Sequence, residues 1–154
     1  MKHSLLIILT FVSVLFSSAS TCNKEDEPAA IENSTPMTNG KIKITVNSKI
    51  FTATLLDNNS AKVFKEMLPL KINMNELNGN EKYYDFTNNL PANASNLGTI
   101  KNGDLMLYGS KTLVLFYQSF STSYSYTKLG SVDDTTGLAT ALGSRKVTIT
   151  FEVT

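Results

Sequence analysis

The sequence has no tryptophan, one cysteine (Cys22), one histidine (His3) and one arginine (Arg145). A lone cysteine excludes an intramolecular disulfide. His3 sits in an N-terminal stretch that reads as a removable leader, so the mature domain is expected to have no imidazole. That inventory excludes Ser–His–Asp and Cys–His catalysis. It also excludes a zinc site of the usual His/Cys kind. No GxxxxGK[ST] or GxGxxG run occurs, so a phosphate-cradling loop has no support. Net charge is nearly absent, with 14 Lys+Arg against 13 Asp+Glu. Nucleic-acid binding favours a strongly basic face, and this balance gives it no electrostatic case. Asp133-Asp134 reads as helix-capping and Asp104 as a turn residue, so neither supplies the carboxylate pair of a glycosidase. A length of 154 residues allows one domain, hardly two.

What is present begins with a leader. Met1–Ser4 is short and basic, Leu5–Phe16 is an apolar run, and Ser17–Thr21 is a small-residue stretch. Residues 1–21 therefore read as a secretory signal peptide. As a helix, Leu5–Phe16 rises only about 18 Å, too little to span a hydrocarbon core of roughly 30 Å. Cys22 follows directly and resembles the lipobox cysteine of bacterial lipoproteins, with Ala19 and Thr21 where the common pattern has Leu and Gly or Ala. That resemblance implies lipidation at Cys22; the other reading is an ordinary signal peptide that leaves a free thiol. Two or three acyl chains would hold the protein stably on a membrane. The acidic run Asn23–Pro28 resembles the surface-export signal of some gram-negative lipoproteins, and equally reads as a solvated linker. Residues 22–39 are polar, contain Pro28 and Pro36, and form a flexible tether.

From residue 40 to 154 the pattern is mostly strand. Ile42, Ile44 and Val46 alternate, Asn47-Ser48 is a turn candidate, and 50–55 returns as a second strand. Asp57–Ser60 supplies N-cap residues for a helix that carries Ala61, Phe64, Lys65 and Leu68 and stops at Pro69. Short strands are expected at 71–74 and 81–86, with a long Asn-rich loop over 88–98. Asp104–Tyr108 is a strand entered by the Asn102-Gly103 turn. Thr112–Gln118 is nearly all apolar and should be central, buried on both faces. Residues 126–132 form a strand broken at Gly130. Asp133-Asp134 caps a short helix that Gly143 closes. The last strand runs over 146–153, with Val147, Ile149, Phe151 and Val153 on one face. Leu113, Leu115, Phe116, Ile149 and Phe151 are the expected barrel core. Seven or eight strands with two short helices predict a closed or nearly closed barrel.

Gly103–Gly109, then Leu113–Tyr117, then Tyr126–Val132 together resemble the bacterial cyclophilin-like domain family. The opening hairpin, the Asn59-Ser60-Ala61 helix start and the stretch Asn78–Tyr83 fit the same family. The resemblance covers residues 41–153 and implies a cyclophilin-like closed β-barrel of about eight strands with two short helices. Fold does not carry function across. True cyclophilins isomerise X-Pro bonds with an Arg in a Phe-His-Arg motif. That motif is absent here, and Arg145 follows Gly143-Ser144 in a different context. No catalytic residue is carried over, and no cofactor or metal is expected.

The candidate ligand-binding residues are Tyr117, Phe120, Tyr124 and Tyr126, in or beside a Ser-rich loop where exposed rings are less expected. A tyrosine joins an apolar face to a hydroxyl, which suits sugar or peptide binding. The other reading is that these rings cap one end of the barrel. Tyr83, Tyr84 and Phe86 make a second, strand-borne group. The sequence thus points to a non-catalytic outer-membrane lipoprotein, periplasmic or surface-facing, that binds a small-molecule or peptide ligand. It would touch the membrane through its lipid anchor only. The alternatives are a weak peptidyl-prolyl isomerase and a structural partner in an envelope complex.

Overall fold

The computed structural model describes residues 38–154, so the expected signal peptide, Cys22 and most of the tether lie outside the described residues. Eleven strands and two helices follow in order: β1 (Thr38–Val46), β2 (Lys49–Leu56), α1 (Asn59–Glu66), β3 (Leu70–Leu77), β4 (Glu81–Asp85), β5 (Ser95–Asn96), β6 (Thr99–Ile100), β7 (Asp104–Tyr108), β8 (Thr112–Phe116), β9 (Phe120–Ser121), β10 (Ser125–Val132), α2 (Leu138–Leu142) and β11 (Val147–Val153). The first strand takes in Thr38 and Asn39, just ahead of the boundary expected at residue 40.

Eight strands hydrogen-bond in the order β2-β1-β11-β3-β4-β8-β7-β10, and β10 pairs back onto β2. Every pairing is antiparallel, so the sheet closes into a barrel without a free edge. This is the fold class that the strand pattern predicts. An eight-stranded barrel is just wide enough for side chains to fill it. Ile42, Ile44, Leu55, Met74, Leu105, Leu107, Leu113, Leu115, Ile149 and Phe151 do so, each with no exposed surface. Phe64 of α1 enters the same core and meets Phe151 edge to face, with ring centroids 5.7 Å apart. Asn58 caps α1 as expected: its side chain accepts from the Ala61 N–H at 2.8 Å.

Three expectations need correction. Gly130 does not break β10. The strand runs unbroken to Val132, with a register shift between Lys128 and Gly130 that marks a bulge. Glycine is required there by space, since a Cβ would lie 2.3 Å from the backbone oxygen of Thr54 on β2. Nor does Asp133-Asp134 cap the second helix. Gly137, in the left-handed region, stands at the N-cap of α2 and makes no side-chain cap bond. Asp133 instead pairs with Lys41 at 2.7 Å and accepts from Thr54, while Asp134 accepts from the Thr136 N–H. Long-range partners on β1 and β2 take the carboxylate that local sequence assigns to a cap. Finally, Phe116 is fully buried but outside the barrel, in a second cluster with Ile100, Met106, Val114 and Tyr126. Strand alternation points Leu113 and Leu115 inward and Val114 and Phe116 outward.

Candidate functional site

The outward face of four neighbouring strands builds the site. Across β4, β8 and β7 the register aligns Glu81 with Phe116, Tyr83 with Val114 and Met106, and Asp85 with Thr112 and Tyr108. Tyr126, the second residue of β10, directly precedes the stretch that pairs with β7. The chain excursions before β7 and after β8 return as the β6–β9 ribbon, which pairs Ile100 with Phe120 and Thr99 with Ser121. Phe120 packs against the outer cluster, so the ribbon and the barrel wall share one small core.

A groove of about 550 Å³ lies along this face. Its walls carry the rings of Tyr83, Tyr108, Phe120, Tyr124 and Tyr126, with Asn78, Asn80, Glu81, Asp85 and Ser121–Ser123 among the polar lining. The rings form a file. Phe120 lies 5.6 Å from Phe116, Phe116 lies 5.5 Å from Tyr126, Tyr126 lies 5.5 Å from Tyr108, and Tyr108 lies 6.2 Å from Tyr124. Two of the four contacts, Phe116–Tyr126 and Tyr108–Tyr124, are edge to face, the geometry that ring quadrupoles favour, and the other two are tilted. Burial grades along the file, from Phe116 with no exposure and Tyr126 at 7% to Tyr108 at 45% and Tyr124 at 61%. The inner rings are fixed by packing, and the outer two are exposed to solvent.

Of the four candidates, the structure brings Phe120, Tyr124 and Tyr126 to this groove and sends Tyr117 elsewhere. Tyr117 belongs to the barrel core, and its hydroxyl donates to the Glu76 carboxylate at 2.7 Å. Burial, the Glu76 hydrogen bond and the charges of Glu76 and Glu81 all push its hydroxyl well above the usual tyrosine range. Lys82 completes that cluster. It is fully buried, pairs with Glu76, and donates to the carbonyl oxygens of Gly143 and Arg145 at 2.7 Å each. Burial would raise the Glu76 carboxyl. Hydrogen bonds from Lys82 and Tyr117, the Lys82 charge and the Gly79 N–H outweigh it and hold the group below the usual carboxylate range. This cluster fastens the turn after α2 to the barrel, and none of its three side chains, Glu76, Lys82 and Tyr117, lines the groove. Arg145 contributes its backbone here; its side chain is exposed and does not line the groove. The strand-borne group also divides, with Tyr83 in the groove and Tyr84 packed on Phe86 against the barrel core.

Sequence reasoning missed Glu81, Asp85, Tyr108 and Asn80. Alternation from Tyr83 was the available signal for the two carboxylates, since positions 81, 83 and 85 of a strand share a face. Glu81 is half-buried, and burial followed by the Glu76 charge pushes its carboxyl above the usual range. Burial, then the charge of Glu81, likewise raises the Tyr126 hydroxyl. A carboxyl raised in the folded state weakens the fold as pH climbs from its unfolded value to its folded one, and the penalty is complete above that. Glu81→Gln is therefore expected to raise Tm at pH 7. The gain should shrink toward nothing as pH falls to the ordinary value of 4.5. Thermal melts of both proteins from pH 4 to pH 8 check this, and a loss of Tm at pH 7 would contradict it. Among the described residues no group of three or more His, Cys, Asp or Glu side chains is placed to hold a metal ion.

Comparison with known proteins agrees with the architecture. A hypothetical protein from Archaeoglobus fulgidus, solved in solution, superposes with a TM-score of 0.53 at 12% identity, over 79% of this chain and 99% of its own. At that identity the likeness is one of fold. Comparison with curated proteins finds none that matches. The sequence model of the cyclophilin-like family matches residues 44–152, from the middle of β1 to the end of β11. The chain belongs to the cyclophilin-like family.

Proposed function

We propose that this chain is a non-catalytic binding module that holds a short peptide in the tyrosine-lined groove. The observation that carries the reading is the file of rings, packed at one end and open to solvent at the other, along a groove of about 550 Å³. That volume is within the roughly 300–1,000 Å³ of sites that enclose a ligand of drug or short-peptide size. Tyrosine offers contact area at low conformational cost, and its hydroxyl can meet backbone groups of a bound chain. The lining has carboxylates, amides and hydroxyls but no thiol, imidazole or guanidinium, which favours binding over nucleophilic or isomerase chemistry.

Phage-displayed random hexapeptides test the reading. The wild-type protein should enrich a peptide pool, and Tyr124→Ala should lower its retention about tenfold or more. Tyr124 is largely exposed, so its loss should leave Tm unchanged. Equal retention by the variant would sink the proposal.

We further propose that a lipid on Cys22 displays this groove at the bacterial envelope, across the polar tether. Cys22→Ser should move the protein from the membrane to the soluble fraction of cells. An unchanged membrane fraction would rule out the anchor.

A further inference from the structure

We infer that the peptide held in the groove carries a basic side chain, a lysine or an arginine, which the groove takes up between its tyrosine faces and Glu81. The inference rests on the peptide-binding reading and adds the charge of the ligand.

The lining is one-sided in charge. Glu81 and Asp85 line the groove, and no lysine or arginine does. Four carboxylates elsewhere are matched, Asp133 by Lys41, Glu152 by Lys43, Glu76 by Lys82 and Asp104 by Lys128, and those outside the groove without a cation, Asp57, Glu66 and Asp134, are exposed to water. Asp85 accepts a hydrogen bond from Thr112 at 2.6 Å but has no cation beside it. Glu81 has neither a cation nor a hydrogen-bond donor among the described residues, although it is half-buried. A carboxylate taken partly out of water without a partner opposes folding. Such a group is tolerated where a ligand supplies the missing charge.

Two further features match the same ligand chemistry. The five rings present negative faces, and ammonium or guanidinium groups are attracted to them by about 0.5–2 kcal/mol per contact. Asn80 also lines the groove, and its Oδ1 is the buried side-chain polar atom that lacks a hydrogen-bond partner among the described residues. Unpaired acceptors require donors, and lysine and arginine side chains are donors only. The size of the groove favours a side chain on a peptide over a free amine, because a lone ammonium group would leave most of the ring surface uncovered.

Bead-bound tetrapeptide libraries test the assignment, acetylated and amidated at their ends. Each set is fixed at one position as Lys, Arg, norleucine, Gln or Glu, with the others randomised. The Lys or Arg sets should retain the wild-type protein about tenfold more than the norleucine set, and the Glu set least. Glu81→Gln should bring the Lys/norleucine ratio close to one. Norleucine sets equal to or better than Lys and Arg would overturn the charge assignment and leave peptide binding standing. So would a ratio unchanged in a Glu81→Gln/Asp85→Asn double variant. Lysine amide that binds as tightly as the tetrapeptides would overturn the peptide as bearer of the charge. Failure of every set to retain the protein would overturn the peptide-binding reading itself.

Discussion

Lys82→Met is expected to lower the free energy of unfolding by about 3–5 kcal/mol. The lysine is wholly buried, and its ammonium is shared among the Glu76 carboxylate and the carbonyls of Gly143 and Arg145. Methionine fills similar space but donates nothing. Glu76 would keep only its bonds from Tyr117 and the Gly79 N–H, and two carbonyls would lose their donor. The midpoint of a urea titration should fall while its slope stays constant. Adding Glu76→Gln to Lys82→Met should restore part of the loss, because the uncompensated charge is then gone. A loss below about 1 kcal/mol for the single variant would show that the cluster does not hold the turn after α2. Glu76 also sets an acid limit. Its carboxyl is held low in the fold, so its contribution is present above the ordinary carboxylate value and is lost as pH falls through the lowered one.

The barrel's own packing explains why the candidate site lies outside it. Aliphatic and aromatic side chains and Lys82 fill the interior, so no room is left there for a ligand. Recognition is left to the outer wall, where the β6–β9 ribbon and the 118–125 segment raise one side of a groove over β4, β8, β7 and β10. Glu81 marks the same division of labour. Its removal should stabilise the fold, which is the expected behaviour of a group kept for binding and not for stability.

Much of this was legible in the sequence. The first hairpin and β11 each follow an alternation that strand geometry turns directly into an inside and an outside. The Asn58 cap needs only its neighbour Ala61. What failed was long-range. Asp133 is claimed by Lys41, which is 92 residues away, and so does not cap α2. Gly130 resembles a breaker until the approach of Thr54 on β2 is known. Lys82 looks like a solvated strand residue because two of its three partners lie 61 and 63 residues downstream. On β8 both faces are apolar, so alternation separates Leu113 and Leu115 from Val114 and Phe116 without saying which pair faces the barrel. Three of the four candidate rings, Phe120, Tyr124 and Tyr126, line one groove because the segment after β8 lies along the outer face of the barrel. Tyr117 does not, because alternation from Leu113 and Leu115 carries it to the inner side.

Leu115→Ala is expected to lower stability by about 2–5 kcal/mol. Leu115 sits mid-strand on β8, faces inward, and has no exposed surface. Its register partners are Lys82 on β4 and Leu105 on β7, both fully buried. A closed barrel with strands paired on both sides has little freedom to collapse around the missing atoms, which places the loss toward the upper part of that range. The neighbouring Val114 points the other way, into the cluster beneath the groove. Leu115→Ala should therefore leave the groove's rings in place, and peptide retention measured well below the lowered Tm should match wild type. Urea unfolding gives the first quantity and the hexapeptide assay the second. A loss under about 0.5 kcal/mol would show that Leu115 is not a core residue. A full-sized loss accompanied by failed retention would show that the inner and outer cores are one cooperative structure, with the groove only as stable as the barrel wall behind it.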